Sequence, residues 1–119
     1  MIRLTEISFG QARPIDGYGP GFFRIGGEVL QGAVLVTAGG ARIWGGYGET
    51  VPLLALAGQV DVLLLGTGAS IAHPPAEFRG ALEARGIGVE TMASPAAART
   101  YNVLLSEGRR IAAALLPVA

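Results

Sequence analysis

The chain has 119 residues, half of them hydrophobic and 15% charged, which favours a folded globular domain over a disordered chain. Arginine balances the acidic residues at nine each, and a net charge near zero disfavours nucleic acid and anionic membranes as partners. Cysteine and lysine do not occur, and histidine occurs once. These absences exclude thiolate and multi-histidine metal sites, cysteine nucleophiles, Schiff-base catalysis and a P-loop lysine, so no metal or cofactor is expected.

The hydropathy pattern predicts a protein without membrane insertion. The first residues carry no apolar signal core, and the longest apolar stretch, 51–65, is interrupted by glycine, glutamine and aspartate. That stretch is shorter than the ~20 residues that a membrane-spanning helix requires. We therefore expect a single domain over residues 1–119 and a cytoplasmic location.

The first half of the chain is predicted to be β-structure. Apolar residues alternate in part over 2–9, which favours a first strand, whereas residues 11–21 hold two prolines and three glycines and are predicted to be irregular. The Gly26-Gly27 pair has the freedom in φ that a two-residue hairpin turn needs. Four further strands are predicted, at 22–25, 28–30, 33–37 and 42–44.

The second half alternates predicted strands with helices. The apolar run at 60–65 is typical of a strand covered on both faces. Thr50 is positioned to cap a short helix and Ser94 to cap a longer one. The predicted elements are helices at 51–57, Pro75 to Gly86 and Ser94 to Gly108, with strands at 60–65, 87–91 and 109–117. Because strands joined through helices run parallel, this order predicts a three-layer α/β fold with a mixed central sheet, crossover helices and an N-terminal β-hairpin layer.

Residues 61–75, DVLLLGTGASIAHPP, raise the question of a phosphate-binding loop. Gly66 and Gly68 follow a strand, as the first two glycines of a dinucleotide fingerprint do, but Ile71 stands where the third glycine belongs. The alternative is that both glycines let the chain turn sharply as it leaves the sheet. We favour this architectural interpretation over a nucleotide loop.

A small anion is the kind of ligand that this topology favours. In open α/β sheets, ligands gather at the carboxyl ends of parallel strands, where helix N-termini offer free amide donors. Arg99 would bind a carboxylate or phosphate with Asn102 orienting it; the alternative is that Asn102 bonds to backbone and Arg99 is a solvated surface residue. The candidate ligand-binding residues are Gly66, Thr67, Gly68, Ser94, Arg99 and Asn102.

Two further features concern catalysis and interaction surfaces. His73 lies in a loop before two prolines without an acidic neighbour, which is typical of a surface histidine, so no catalytic residue is assigned. Most aromatic residues of the first half are expected in the core, and any left exposed near 17–21 or 45–48 would form an interaction patch. A small domain this apolar also favours a homodimer.

Three segments resemble a known family: LLLGTG at the end of a buried strand, GIGVETM before a helix, and RTYNVLLSEGRRIAAALLP. The earlier segments GYGPGFFRI and GAVLV fit the same pattern. The family is that of the mitochondrial NADH dehydrogenase (complex I) alpha subcomplex assembly factor and its uncharacterised single-domain bacterial and archaeal relatives. The resemblance implies a three-layer fold around a mixed sheet, protein binding as the mode of action, and no established catalytic residues.

The sequence leaves two functional hypotheses open. The first is a non-enzymatic protein-binding or assembly-factor-like module whose protein partner is unknown. The second is a small-molecule binder, or a minor enzyme, that holds a carboxylate or phosphate in the crevice at the carboxyl ends of the parallel strands. We favour the first, chiefly because of the resemblance.

Overall fold

The computed structural model describes residues 13–119, so the strand predicted at 2–9 lies outside the described residues. The strands within 13–119 are β1 (Ile15–Gly19), β2 (Phe22–Ile25), β3 (Glu28–Gln31), β4 (Val34–Thr37), β5 (Gly40–Ile43), β6 (Val62–Thr67), β7 (Gly88–Met92) and β8 (Ile111–Leu116). The α-helices in the same range are α1 (Val51–Leu54), α2 (Ala76–Glu83) and α3 (Ser94–Ser106), and a short 3-10 turn spans Gly46–Gly48.

The first three strands form an antiparallel sheet in the order β1-β2-β3. The predicted hairpin between β2 and β3 is confirmed, because Ile25 pairs with Glu28 across the turn. Gly26 and Gly27 have φ angles of +58° and +86°. Positive angles at both central positions give the two-residue turn whose twist matches that of the strands.

The prediction that residues 11–21 are irregular is wrong for Ile15–Gly19, which form β1. Ile15 is only 4% exposed, so the apolar surface that it buries offsets the low strand preference of the glycines around it. The pairing with β2 shifts register between Ile15 and Gly17, as at a β-bulge. Gly21, with a φ of +79°, then turns the chain into β2.

The central sheet has five strands in the order β5-β4-β8-β6-β7. β4 pairs antiparallel with β5 and β8, whereas β6 pairs parallel with β7 and β8. The predicted mixed sheet is therefore confirmed. β6 extends two residues beyond the prediction, because Gly66 and Thr67 still pair with Leu115 and Leu116 of β8.

The three helices occur where they were predicted, but their ends differ in detail. α1 stops at Leu54 instead of residue 57, and Thr50 forms no side-chain cap. The residue before Ser94, not Ser94 itself, holds the N-cap position of α3. Gly86 and Gly108, with φ angles of +82° and +76°, follow α2 and α3 as predicted, because glycine readily adopts the left-handed conformation that ends a helix.

Different elements cover the two faces of the central sheet, which confirms the three-layer prediction. One face packs against α3 and the N-terminal sheet through a buried cluster that includes Phe23 and Tyr101. The opposite face packs against α1 and α2 through a cluster that includes Leu53 and Phe78. Burial on both faces explains why β6 and β8 are apolar along their length.

Five of the aromatic residues within 13–119 belong to these two clusters. Trp44, Tyr47 and Phe78 form one group, with ring centroids 4.9 to 6.1 Å apart. Phe23 is buried in the other cluster, whereas Tyr18 is 46% exposed. The expectation of a mostly buried aromatic set holds for Trp44 and Phe23 and fails for Tyr18.

Candidate functional site

Gly66 lies where β6 approaches the start of α3. A Cβ atom at this position would lie 2.7 Å from the Ser94 hydroxyl oxygen and 2.8 Å from both Ser94 Cα and Leu115 Cδ2. Only glycine fits such contacts, because one of the neighbours is backbone. Gly66 therefore permits close packing of β6, β8 and α3.

The Ser94 side chain joins three elements at this edge of the sheet. Its hydroxyl accepts a hydrogen bond from the Gly68 amide at 2.9 Å and donates one to the Leu116 carbonyl at 2.6 Å. The Ser94 amide donates to the Gly68 carbonyl at 2.8 Å. Ser94 has no exposed surface, so its hydroxyl is directed entirely to internal partners.

Thr67 closes the loop that follows β6. Its Oγ1 accepts a hydrogen bond from the Ala72 amide at 3.0 Å. The same oxygen is 2.8 Å from the Ser70 carbonyl and 3.3 Å from the Met92 carbonyl, either of which accepts its proton. Gly68, with a φ of +100°, makes the sharp bend next to it. The residues around this bend thus stabilise the turn through their own hydrogen bonds.

Asn102 and Arg99 lie farther along α3. Asn102 accepts a hydrogen bond from the Ile15 amide at 2.8 Å and donates one to the Ile15 carbonyl at 2.9 Å, so its amide group pairs with β1. Eight residues at about 1.5 Å each place it about 12 Å beyond Ser94 along the helix. Arg99 is exposed and forms no hydrogen bond or ion pair with any residue from 13 to 119.

The six predicted residues therefore do not form one cluster. Gly66, Thr67, Gly68 and Ser94 meet at the carboxyl end of β6, whereas Arg99 and Asn102 lie elsewhere on α3. Ligand binding by these residues stays a prediction.

A second group of polar side chains lies on the opposite face of the same sheet edge. Arg79 of α2 donates to the Thr91 hydroxyl at 2.8 Å and to the Val89 carbonyl at 3.1 Å, both on β7, and its Nη1 is 3.3 Å from Glu83. A pocket of about 230 Å³ opens beside these groups. We call it the Arg79 pocket; its lining residues are Ile71, Ala72, His73, Arg79 and Thr91.

Sequence reasoning missed the Arg79 pocket because its residues come from three elements. The spacing of Arg79 and Glu83 predicts a helical ion pair. Nothing in that spacing indicates that the guanidinium also reaches β7. Thr91 at the end of a predicted strand was a usable signal, since strand ends and the loops after them form ligand crevices in such sheets.

A larger groove lies at the other edge of the central sheet, beside β5. Arg42 and Glu49 form an ion pair of 3.2 Å at its rim, and Val51 on α1 is 75% exposed. Glu49 also accepts the Gly45 amide at 2.7 Å, which fixes the 3-10 turn. This β5 groove has a volume of about 700 Å³ and is lined by Arg42, Gly45, Gly48, Glu49, Thr50, Val51, Pro52 and Ala55.

The ion pairs of the described part are surface pairs. They are Arg42–Glu49, Arg79–Glu83 and Arg110–Asp61, all with side chains more than a third exposed. Such pairs contribute under ~1 kcal/mol each. Among residues 13–119, no three histidine, cysteine or acidic side chains gather as metal ligands would.

Tyr101 is a buried polar group of a different kind. Its ring is fully buried on α3, and no residue from 13 to 119 offers its hydroxyl a hydrogen bond. Burial raises the pKa of Tyr101 to about 12, because the phenolate would lose its hydration. Burial also raises the pKa of Tyr47. Tyr101 is thus an unsatisfied polar group in an otherwise apolar cluster.

None of the helices within 13–119 combines the length and the apolar character needed to cross a bilayer.

The chain is similar to bacterial and animal proteins along nearly its whole length. An uncharacterised protein of Rhodobacter capsulatus is 57% identical over 113 residues, covering 95% of this chain and 91% of that protein. NADH dehydrogenase (ubiquinone) 1 alpha subcomplex assembly factor 3 of Danio rerio is 36% identical over 127 residues, covering 97% of this chain and 73% of that protein.

The fold and the family agree with these relatives. The crystal structure of an outer membrane protein from Bartonella henselae superposes with a TM-score of 0.83 and 35% identity, covering 91% of this chain and 97% of that one. The family described as a protein of unknown function (DUF498/DUF598) matches residues 15–116. The resemblance predicted from short segments is therefore confirmed, and the chain belongs to the DUF498/DUF598 family, related to the NADH dehydrogenase assembly factors.

Proposed function

We propose that the chain is a non-enzymatic protein-binding module that assists the assembly of a multisubunit complex. The observation that carries this proposal is the 36% identity to the Danio rerio assembly factor over 97% of the chain. Because the similarity extends over nearly the whole chain, we expect the two proteins to share the layered domain. Because that relative is named an assembly factor of NADH dehydrogenase, we test first whether this chain binds subunits of an NADH dehydrogenase.

The hydrogen bonds of three predicted site residues support a non-catalytic role. Ser94 directs its hydroxyl to two backbone groups, and Thr67 uses its own to close a loop. Asn102 pairs with the backbone of Ile15. Side chains that are held in this way stabilise the fold and are not free to bind or activate a substrate.

The β5 groove is the surface that we propose for the protein partner. Val51, Pro52 and Ala55 supply apolar surface, and the Arg42–Glu49 pair lies at the rim. An apolar centre with a charged rim is the usual anatomy of a protein interface. The groove takes Gly45 and Gly48 from the 45–48 segment but none of its aromatic side chains, so it differs from the aromatic patch that the sequence suggested there.

A pair of matched variants tests the proposal. Val51→Asp places a charge in the groove, and an acidic residue in the first turn of a helix is well tolerated, so the fold is expected to persist. Val103→Asp is the control, because Val103 is also exposed, at 54%, but lies on α3. The measurement is co-purification of NADH dehydrogenase subunits with each tagged chain from cells of the source organism, quantified by mass spectrometry.

We expect stoichiometric recovery with the natural chain and with Val103→Asp, and a loss of more than about tenfold with Val51→Asp, which corresponds to about 1.4 kcal/mol of binding free energy. A natural chain that recovers no such subunit contradicts the assembly role. Equal recovery with both variants contradicts the choice of surface. The homodimer that the apolar composition favours remains a prediction, and sedimentation at increasing concentration tests it.

A cytoplasmic location also belongs to this proposal. The relative from Bartonella henselae is named an outer membrane protein, so location needs its own measurement. Fractionation of cells with separate salt and carbonate washes distinguishes a free protein, a peripherally attached one and an inserted one. We expect the chain in the unsedimented fraction.

A further inference from the structure

The Arg79 pocket is a separate feature from the β5 groove, since β7 and β5 are the two outer strands of the central sheet. We propose that this pocket binds a small organic monocarboxylate, with the carboxylate on Arg79, Thr91 and His73 and a short apolar tail on Ile71 and Ala72. The proposal goes beyond the assembly role and does not depend on it. It assigns a site to residues other than the six predicted from the sequence.

The guanidinium of Arg79 is held in place by hydrogen bonds and still has N–H groups without a partner among residues 13–119. Its recorded partners are Thr91 Oγ1 at 2.8 Å, the Val89 carbonyl at 3.1 Å and Glu83 at 3.3 Å. These bonds use three of the five N–H groups, and no residue from 13 to 119 accepts a bond from Nε. An anchored guanidinium with free N–H groups loses little side-chain entropy when it binds a carboxylate.

Two further polar groups line the same pocket. The Thr91 hydroxyl accepts its bond from Arg79, so its own proton is available to a ligand oxygen. The His73 imidazole, which is exposed, can donate an N–H from the opposite loop. The loop after β6, α2 and β7 thus supply one donor group each.

Two observations favour a monocarboxylate over phosphate. Glu83 is already 3.3 Å from the guanidinium, so the local charge is nearly balanced and a second negative charge on the ligand would be repelled. The remaining walls, Ile71 and Ala72, are apolar, and Ile71 is 66% exposed. A short hydrocarbon tail would cover this surface, whereas inorganic phosphate would not.

The experiment is an NMR titration of the isolated natural chain with sodium butyrate at constant ionic strength. We expect saturable amide shifts centred on the lining residues 71–73, 79 and 91. Butyramide, which keeps the shape but not the charge, and inorganic phosphate are the comparison ligands, and we expect both to bind more weakly. No saturable shift with butyrate, or tighter binding of phosphate, would overturn the proposal.

Four variants locate the site. Arg79→Gln is expected to weaken butyrate binding by about tenfold or more, because a charge-assisted hydrogen bond is lost. Glu83→Gln is expected to strengthen it, because a competing carboxylate is removed, and a merely structural role of Arg79 would not have this effect. Ile71→Glu places a carboxylate in the pocket and is expected to block binding, because it competes with the ligand for the free N–H groups of Arg79 while Arg79 itself is kept.

Arg99→Gln is the matched control, since it removes an exposed arginine from α3 and is expected to leave the affinity unchanged. If Arg99→Gln weakens binding and Ile71→Glu does not, the anion binds at the site predicted from the sequence, and the Arg79 pocket is refuted. Because the titration contains no protein partner, its failure leaves the assembly role unaffected, and failed co-purification leaves the pocket unaffected.

Discussion

Two helices follow parallel strands, α2 after β6 and α3 after β7, and they pack on opposite faces of the same sheet edge. The polar side chain that each brings to this edge is enclosed in one case and open to a pocket in the other. At the start of α3, the Ser94 hydroxyl is fully buried and bonds to Gly68 and Leu116. On the other face, Arg79 of α2 reaches the end of β7 but stays partly open to a pocket. The difference teaches that polar residues at strand ends do not by themselves form a binding site. Whether they can bind a ligand depends on whether their donors and acceptors are already paired within the protein.

The largest effect that sharpens this comparison is expected from Ser94→Ala. The change removes the hydrogen bonds to the buried Gly68 amide and the partly buried Leu116 carbonyl, which should lower the free energy of unfolding by about 3 kcal/mol. Urea denaturation measures it. Ser106→Ala is the control, because Ser106 lies on the same helix with an exposed hydroxyl bonded to Val103, and we expect a loss under ~0.5 kcal/mol.

Equal losses from the two serine variants would mean that the buried hydrogen bonds at the start of α3 contribute no more than a surface hydroxyl. The contrast between the two sides of the sheet edge would then disappear.

Two glycine variants give the next largest effect and differ in sign. Gly66→Ala on the α3 side is expected to destabilise by about 2 kcal/mol, because its Cβ would press on Ser94 and Leu115. Gly80→Ala on α2 is expected to stabilise by roughly 0.5–1 kcal/mol, because no heavy atom lies within 4 Å of the added Cβ and alanine favours the helix. Thermal and urea unfolding of both proteins measure the difference. A Gly66→Ala protein as stable as the natural chain would show that β6 and α3 can separate freely.

The smallest effect at neutral pH concerns Tyr101, the unsatisfied group on the α3 side. Tyr101→Phe removes a buried hydroxyl without a partner among residues 13–119, so stability near pH 7 should stay within about 1 kcal/mol of the natural chain or rise. The pKa of Tyr101 is raised from 10 to about 12 by burial. Below pH 10 the tyrosine is protonated in both the folded and the unfolded chain, so its ionisation does not affect the free energy of unfolding. As the pH rises from 10 through 12, the unfolded chain ionises first and the free energy of unfolding falls by roughly 2 to 3 kcal/mol.

Urea denaturation at neutral and alkaline pH compares the two proteins. The natural chain should lose more stability than Tyr101→Phe between about pH 9 and pH 12. Parallel losses would mean that the Tyr101 hydroxyl reaches solvent or a partner at alkaline pH.

Much of the fold could be predicted because its signals are local. The Gly26-Gly27 pair indicates a hairpin turn, and the apolar run of β6 indicates a strand that is buried on both faces. β1 could not be predicted, because Ile15 is stabilised by contacts with β2 and by Asn102, which is 87 positions away. Composition around Ile15 indicates only turns, and tertiary pairing overrides it.

The candidate site was predictable only in its location. The topology rule directs attention to the carboxyl edge of the parallel strands, where four of the six candidate residues meet. It does not indicate that Ser94 lies under that edge with its hydroxyl enclosed, since the close approach of Gly66 to α3 is a property of packing. Nor does helical spacing show that Arg79 bridges to Thr91 across the sheet edge.

The position of β8 has a consequence for how the protein is made. This strand comes last along the chain, yet it lies between β4 and β6, so it must enter a gap between segments synthesised well before it. The sheet therefore closes only once residues 111–116 have left the ribosome, and contacts between distant segments of this kind slow folding. Until that moment the inner edges of β4 and β6 are open to other chains, and this interval is when the nascent protein most needs protection from aggregation.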